Sequence, residues 1–316
     1  MAKFILRRFL VTVITLFLIS LLCFSLLHLL PGNPARVVLG EEAKQEQVDQ
    51  LYSEMNLDKP IIIQYLLWIS GCFKGDFGNS AIYRQPVSDM IMTRIVKTLS
   101  IGIPSLIISS ILGICLGVIS AVRRGKPVDQ VITLLSTVGV GTPVFWIGIL
   151  LIYIFGVRFG ILPVGGYVKA SDNFGAYIQH LILPVICMSL AMTANVIRHT
   201  RTNMLEVINQ DYIRTARANG ISSFSILFRH SLRNALIPVI AVIGLFVRTT
   251  IGGAVMVEKV SNISGIGSLM AEAVANRDYI VVQNSVFIIA VVVLACNFLV
   301  DLLYGLIDPR IRKGKR

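Results

Sequence analysis

Residues 211–238 read DYIRTARANGISSFSILFRHSLRNALIP, a basic stretch between two long apolar ones. The residues up to Gly220 favour a helix, and glycine is a natural C-terminal stop. A second helix is then predicted to begin near Ser222 or Ser223. Two short helices joined at Gly220 form a compact projection, which can sit in a groove and pass a rigid-body movement to the apolar segments beside it. From composition alone, an ordinary basic connector explains the segment equally well.

The composition around this segment is that of a membrane protein. Hydrophobic residues make up 55% of the 316 residues and charged residues only 15%, whereas about a quarter of a soluble domain is charged. A transmembrane helix needs about 20 predominantly apolar residues. Six stretches qualify, of which only the fourth is short: Phe9–Leu30, Leu99–Val122, Val131–Val157, Leu181–Ile197, Ala235–Val257 and Val281–Ile307. The sequence therefore predicts an all-α integral membrane protein with six transmembrane helices.

Lysine and arginine predict that both chain ends lie in the cytoplasm, since basic residues are retained on that side. The inside segments are then 1–8, 123–129, 198–233 and 308–316. The outside segments are 31–98, 158–180 and 258–280. The inside segments hold 17 of the 29 basic residues and a net charge of +13, against −1 outside. The overall charge of +12 thus reflects membrane orientation. Nucleic acid is not a predicted partner, because the basic residues are dispersed and no aromatic-rich groove accompanies them.

The same pattern divides the chain into three parts. They are residues 1–98, the first transmembrane helix with an external cap; residues 99–307, a five-helix core with the cytoplasmic loop 198–233; and residues 308–316, a basic tail. In the cap, LPGNPA at 30–35 breaks the first helix, the acidic run 41–58 predicts an amphipathic helix, and GDFGNS at 75–80 predicts a turn. A solvated loop and a docking surface for an extracytoplasmic partner are equally favoured for the cap.

Cysteine and histidine do not form a metal-binding pattern. Four of the five cysteines lie inside predicted spans, and only Cys72 is external. The four histidines lack the i, i+4 or cysteine-paired spacing of a metal site. The sequence therefore predicts neither a metal site nor a catalytic residue.

The basic segment fits the frame of a family motif. It resembles the EAA loop of binding-protein-dependent ABC importer permeases, whose pattern is Glu-Ala-Ala, three residues and then Gly. The frame lands on Arg214, Thr215, Ala216 and Gly220. The first two positions depart from the general pattern. Even so, DYIRTARANG followed by FRHSLRNALIP resembles the loop of the dipeptide/oligopeptide branch, which also serves nickel.

Other segments resemble the same branch along nearly the whole chain. They are FILRRFL (4–10), LPGNP (30–34), GDFGNS (75–80), TPVFWIGILL (142–151), LPVGG (162–166), HLILPVI (180–186), SGIGSLM (264–270), NRDY (276–279) and DLLYGLIDPRIR (301–312). Where such permeases usually carry Pro-Gly, this chain has Ser264-Gly265, so the turn there is less rigid. The order and spacing of these segments make chance an implausible account.

The resemblance implies an ABC type I importer permease in the bacterial cytoplasmic membrane, with lipid around its spans. Such a permease forms half of a pore with a second homologous permease. Two ABC ATPases bind ATP and Mg²⁺, and an extracytoplasmic binding protein delivers the substrate. This chain is expected to bind no cofactor, in keeping with the absence of a Gly-x-x-x-x-Gly-Lys-Ser/Thr phosphate loop. The nearest candidate, residues 124–127, has proline where the hydroxyl should stand.

The EAA-like segment is expected to couple this chain to the ATPases. Closure of the ATPase dimer would pull the helix at 211–220 and rock the spans between inward-open and outward-open states. The expected coupling residues are Asp211, Tyr212, Arg214, Thr215, Ala216, Arg217, Ala218 and Gly220.

Two further features concern the pore. Thr142-Pro143 interrupts the third span, since proline removes a backbone hydrogen bond and kinks a helix; packing of nearby glycines is favoured over a hinge as its cause. Residues 263–274 place apolar side chains at helical spacing, which predicts a short interfacial helix. This helix is either a surface cap or an outer gate formed by Gly265, Ile266 and Gly267.

Arg248 lies mid-span, where a charge costs about 2.5 kcal/mol or more unless it faces protein or water. We expect it on the substrate path, where it could attract a peptide carboxylate or an anionic metal chelate. A structural pairing with Asp301 or with backbone carbonyls explains it equally well. Asp301 also leaves open an ion-coupled secondary transporter, although the loop at 211–220 weighs against it. The expected cargo is a di- or oligopeptide, with nickel or a metallophore complex as the alternative.

Overall fold

A computed structural model describes residues 2–28, 34–40, 43–80 and 82–307 of the chain. These residues are almost entirely helical, with one isolated β-bridge between Asn79 and Pro86. The helices are α1 (Ala2–His28), α2 (Pro34–Leu39), α3 (Gln45–Glu54), α4 (Ile61–Lys74), α5 (Val87–Val122), α6 (Pro127–Gly141), α7 (Val144–Leu151), α8 (Phe174–Ile208), α9 (Asp211–Ala218), α10 (Ser223–Ser225), α11 (Arg233–Val260), α12 (Ile266–Ala275) and α13 (Tyr279–Ile307). The predicted tail 308–316 lies outside the described residues.

Within the described residues, five helical runs are long and apolar enough to cross a membrane. They lie in α1, α5, α8, the run that begins at Ser223 and continues as α11, and α13. The bent pair formed by α6 and α7, with the π-helical turn that follows α7, supplies a sixth if it counts as one span. The predicted all-α fold with six spans is thus confirmed.

The third span is broken rather than kinked. α6 and the helix beginning at Val144 meet at an angle of 104°, and Thr142 and Pro143 between them have extended backbone. Proline disfavours the helical conformation for the residue before it and has no N–H to donate to the preceding turn, so α6 ends at Gly141 and a new helix begins at Val144. The break coincides with close packing: a methyl group on Gly148 would lie 3.1 Å from Sγ of Cys187.

The chain forms two compact units. Unit 1 comprises Met1–Ile5, Thr98–Ile263 and Cys296–Arg316, and α8 lies at its centre. Side chains one helical turn apart on α8, from Leu181 to Met192, pack against Ile101 of α5 and Val257 of α11. The short predicted span Leu181–Ile197 is therefore only the apolar middle of a 35-residue helix, because polar residues at both ends continue it.

Two glycines bring α5 directly against α8. A methyl group on Gly113 would lie 2.4 Å from Cβ of Val196, and one on Gly117 would lie 2.5 Å from Cβ of Thr200. No side chain fits at such distances, so only glycine allows the two backbones to approach this closely. Small residues serve this purpose in membrane helix pairs generally.

Unit 2 comprises Leu6–Lys97 and Ser264–Ala295. The cap within it is helical, and its amphipathic helix is shorter than the predicted acidic run: α3 ends at Glu54, and Asn56 reverses the chain with a φ of 57°. The predicted turn at 75–80 is confirmed, with positive φ at Gly75 and Gly78. α12 packs its Leu269 face against α5 and α13.

The contact between α5 and α8 predicts a difference between two glycine substitutions. Gly117→Ala forces the new methyl group into Thr200 and should cost about 1–3 kcal/mol, as overpacking usually does. Gly252→Ala on α11 adds a methyl group with no atom within 4 Å and should be neutral. Thermal unfolding of each purified variant in detergent measures the change in stability. Equal midpoints for the two variants would contradict the close approach.

Candidate functional site

The projection predicted within residues 211–238 has a well-defined elbow at Gly220. α9 ends at Ala218, and Gly220 adopts a φ of +75°. Its backbone N–H donates to the Arg217 carbonyl at 3.1 Å, and the N–H of Ile221 donates to the Ala216 carbonyl at 3.2 Å. These two bonds form a Schellman motif, which closes a helix through a residue in left-handed conformation. The helix thus stops at the predicted residue.

The second half of the projection begins at the predicted place. The hydroxyl of Ser222 accepts a hydrogen bond from the N–H of Ser225 at 3.4 Å and caps the short α10. A π-helical turn from Ile226 to Leu232 then connects it to α11 without a break. The projection is therefore joined to α11 by continuous helical backbone.

Contacts inside the projection hold its two halves together. Ile213 and Ala216 of α9 are buried against Ile226. The hydroxyl of Tyr212 accepts a hydrogen bond from the Asn234 side chain of α11 at 2.9 Å. Of the predicted coupling residues, Ala216 therefore has a packing role and Tyr212 anchors α9 to α11.

The remaining predicted coupling residues face outward and are available to a partner. Arg214, Thr215, Arg217 and Ala218 are exposed. Asp211 is exposed as well, and its 3.5 Å ion pair with Arg214 is worth little, since both groups are in water.

Two aromatic rings beyond the elbow add to this surface. The rings of Phe224 and Phe228 contact each other at a tilt of 41° with centroids 4.6 Å apart, and Phe224 is 73% exposed. Sequence reasoning missed the pair, although the spacing of i and i+4 in a helix could have indicated it. The projection thus presents arginines and an exposed aromatic pair.

A buried carboxylate secures the helices that support the projection. Asp129, just before the third predicted span, is 5% exposed and accepts two hydrogen bonds from Arg201 of α8, at 2.7 and 2.9 Å. The hydroxyl of Ser120 and the N–H of Gly125 donate to the same carboxylate. The Arg201 guanidinium, helped by Ser120 and Gly125, holds the pKa of Asp129 well below its ordinary value. This carboxylate joins α5, α6 and α8.

In the sequence, Asp129 and Arg201 are recognisable only as charges that fix the membrane topology. One feature of the sequence could have indicated a structural role for Asp129: it is one of only four acidic residues in the predicted inside segments. Its partner could not be chosen, because Arg201 lies 72 residues away along the chain among other arginines.

The predicted pore residues are divided between the two units. Thr142 and Pro143 lie in unit 1, whereas 265–267 lie in unit 2. Ile266 is fully buried in the core of unit 2 and packs with Leu269, so it has a structural role there; its role as an outer gate stays a prediction. The side chain of Arg248 lies outside the described residues. Among the residues that the structure describes, no three His, Cys, Asp or Glu side chains cluster as metal ligands do.

Comparison with known proteins identifies two matching families. Residues 113–313 match the binding-protein-dependent transport system inner membrane component, and residues 1–102 match the N-terminal part of such membrane components. Both matches together span nearly the whole chain.

Curated relatives are similar over their full length. The chain is 39% identical to a probable peptide ABC transporter permease protein of Sinorhizobium fredii, over 99% of this chain and 100% of that protein. It is 39% identical to the oligopeptide transport system permease protein AppB of Bacillus subtilis, over 98% and 99% respectively. It is 38% identical to the dipeptide transport system permease protein DppB of Escherichia coli, over 100% of both.

Solved structures share the fold. An inward-facing structure of the MetNI methionine ABC transporter matches with a TM-score of 0.55, over 69% of this chain and 96% of that chain, at 16% identity. An amino acid ABC transporter matches with a TM-score of 0.52, over 71% and 94%, at 16% identity.

The Asp129 carboxylate generates a stability prediction. Asp129→Ala leaves Arg201 unpaired, and we expect a loss of about 2–4 kcal/mol in the free energy of unfolding, below the full cost of a deeply buried pair because Arg201 is partly exposed. Asp211→Ala breaks an exposed pair and should cost less than about 1 kcal/mol. Thermal unfolding in detergent at neutral pH compares the two.

The pH dependence supplies the control. A carboxylate whose pKa is lower in the folded chain stabilises it above the unfolded pKa of about 3.9 and loses that contribution as pH falls. The difference between the intact chain and Asp129→Ala should therefore shrink on acidification. Equal losses in the two alanine variants at neutral pH would contradict a structural role for Asp129.

Proposed function

The chain belongs to the inner membrane components of binding-protein-dependent transport systems, and on this premise we propose that it forms half of the pore of an ATP-driven importer of di- and oligopeptides. The observation that supports this cargo is full-length identity of 38–39% to relatives named as peptide, oligopeptide and dipeptide permeases. The family description places the chain in the inner membrane.

The other parts of the importer follow from this proposal. A second homologous permease completes the pore, and an extracytoplasmic binding protein delivers the peptide. Two ATPase subunits bind ATP and Mg²⁺ and hydrolyse the nucleotide, so this chain is not an enzyme. The exposed arginines and aromatic pair of the projection are the surface on which an ATPase docks.

The geometry of unit 1 supports a rigid transmission of movement. The projection is continuous with α11 and is tied to it by the bond between Tyr212 and Asn234. Its base packs on the cytoplasmic ends of α5 and α8 around Met204, and Asp129 ties both helices to α6. A displacement of the projection therefore moves these four helices together, which is what rigid-body alternating access requires.

Uptake by reconstituted complexes tests the cargo. Proteoliposomes with the complete importer should accumulate labelled dialanine when ATP is supplied, and disabling the ATPases should abolish accumulation. Unlabelled di- and tripeptides should compete, whereas nickel salts should not. An ionophore that collapses the proton gradient should leave uptake unchanged. ATP-independent uptake, or competition by nickel alone, would overturn the proposal.

The elbow at Gly220 allows a matched test of coupling. Proline cannot adopt a φ of +75° and lacks the N–H that bonds the Arg217 carbonyl, so Gly220→Pro should distort the elbow. Asparagine tolerates the left-handed conformation, and no atom lies within 4 Å of a Cβ at this position. We expect Gly220→Pro to lower uptake and binding-protein-stimulated ATP hydrolysis at least about tenfold, which corresponds to an increase of about 1.4 kcal/mol in the activation free energy. Gly220→Asn should retain both activities.

Assembly is the control for this experiment. Co-purification of the ATPases with each variant shows whether the complex forms. If the Gly220→Pro complex assembles and keeps both activities, the segment is only a connector.

A further inference from the structure

One helix of the cap, α4, carries an apolar surface that no other part of the described chain covers. Its 14 residues include a single charged one, Lys74. The side chains of Ile62, Leu66 and Phe73 are 71%, 56% and 87% exposed. Separations of four and seven residues place these three on one face of a helix, which we call the outer face of α4. Large apolar side chains exposed together mark a contact with something other than water.

Another face of α4 packs on two membrane spans of the same unit. The hydroxyl of Tyr65 hydrogen-bonds with that of Ser20 on α1 at 2.8 Å. The ring of Trp68 contacts Phe24 of α1, with centroids 6.0 Å apart, and Phe287 of α13, with centroids 5.2 Å apart. These contacts place α4 alongside the two spans rather than beyond their outer ends.

The sequence positions of these contacts give the depth of α4 in the membrane. Phe24 lies six residues before Leu30, the outer end of the first predicted span, and Phe287 lies six residues after Val281, the outer end of the last one. At 1.5 Å per residue, both are about 9 Å inside those ends. One leaflet supplies about 15 Å of the hydrocarbon core, which is about 30 Å thick. Two separate spans thus place Trp68 at the depth of the outer leaflet.

The preceding helix shows what an aqueous surface of this unit looks like. α3 exposes polar side chains, among them Glu46, Asp49 and Gln50, and buries Val48. α4 does the reverse, because its exposed face is apolar and its polar groups turn towards α1 and α13. At 14 residues, α4 is also too short to cross a bilayer, which takes about 20 residues, but has the length of an interfacial segment.

The polar groups of α4 suit an apolar setting. The hydroxyl of Tyr65 is paired with α1, and the indole N–H of Trp68 donates to Oδ1 of Asn284 on α13 at 2.9 Å. Both pairings matter in hydrocarbon, where an unpaired polar group is costly. Lys59 lies just before the helix and Lys74 ends it. Lysine stems can stay in apolar surroundings while their ammonium groups reach the headgroups.

The outer face of α4 adjoins a surface that is already in lipid. α1 is a membrane span, and its apolar residues Leu18, Leu21 and Leu22 are exposed close to the contact with α4 at Phe24. Acyl chains that surround this part of α1 therefore also reach α4. A soluble protein does not reach about 9 Å below the outer ends of the spans, so it cannot cover this face.

We infer that α4 is inserted into the outer leaflet of the membrane, with Ile62, Leu66 and Phe73 in contact with lipid acyl chains. Residues 31–98 are then not wholly external, because α4 fixes the cap in the bilayer. This insertion depends on the membrane positions of α1 and α13 and not on the cargo. Its failure would leave the proposed function standing.

A spin label at Leu66 distinguishes lipid, water and protein. The complete importer, with the five native cysteines of this chain replaced by alanine, carries a nitroxide at Leu66→Cys in lipid nanodiscs. The label should collide more often with oxygen, which concentrates among acyl chains, than with a water-soluble nickel chelate. Gln50→Cys on α3 is the matched control, since Gln50 is also exposed. There the order should be reversed.

The other two patterns would overturn the insertion. Frequent collisions with the nickel chelate at Leu66, as at Gln50, would place the outer face in water. Few collisions with either reagent would mean that another membrane subunit covers it. Phe73→Cys repeats the measurement at the other end of α4.

A second pair of variants keeps the native cysteines. Leu66→Asp places a charge among acyl chains, which is costly, whereas Gln50→Asp adds one to an aqueous helix. The chain alone is unfolded thermally in lipid nanodiscs, so no partner subunit is present to cover α4. Leu66→Asp should lower the unfolding midpoint by about 2 °C or more, and Gln50→Asp should leave it nearly unchanged. Equal midpoints for the two variants would contradict the insertion.

Discussion

The close approach of α5 to α8 at Gly113 and Gly117 is the constraint on which unit 1 depends. Lipid tails are as apolar as leucine, so helices in a membrane gain nothing by hiding apolar side chains from each other. Their association depends on contact between surfaces that fit. With no side chain between them, the two backbones meet along two turns, and α8 becomes the axis on which the other helices of the unit pack.

The polar interactions at the cytoplasmic end continue this contact. Thr200 packs on Gly117, and the next residue, Arg201, reaches Asp129. Ser120, one turn beyond Gly117 on α5, donates to the same carboxylate. The apolar contact between α5 and α8 is therefore followed, on the next turn of each helix, by polar bonds from both helices to Asp129 of α6. A buried carboxylate is tolerated there because the helices beside it already hold its donors in position.

The parts of the fold that depend on local sequence could be predicted. Hydropathy located the spans, and the left-handed preference of glycine located the elbow at Gly220. Features that depend on packing between residues far apart in the chain could not be predicted. Pro143 predicts an interruption, but the 104° angle is set by what the two half-helices pack against. Likewise, the apolar spacing around Ile266 predicted a helix correctly but did not show that Ile266 is buried, because burial depends on α5 and α13 packing against it.

The length of α8 determines how far its C-terminal end extends beyond the membrane. Its residues after Ile197 extend about 16 Å at 1.5 Å per residue, whereas a headgroup layer is only about 5–8 Å thick. The C-terminal end of α8 at Ile208 therefore extends beyond such a layer, whereas Arg201, about 6 Å past Ile197, lies within it. Anionic headgroups at that distance from Ile208 are screened by salt over about 8 Å. A thicker bilayer would shorten the part of α8 that extends past the headgroups without changing the internal contacts of the projection.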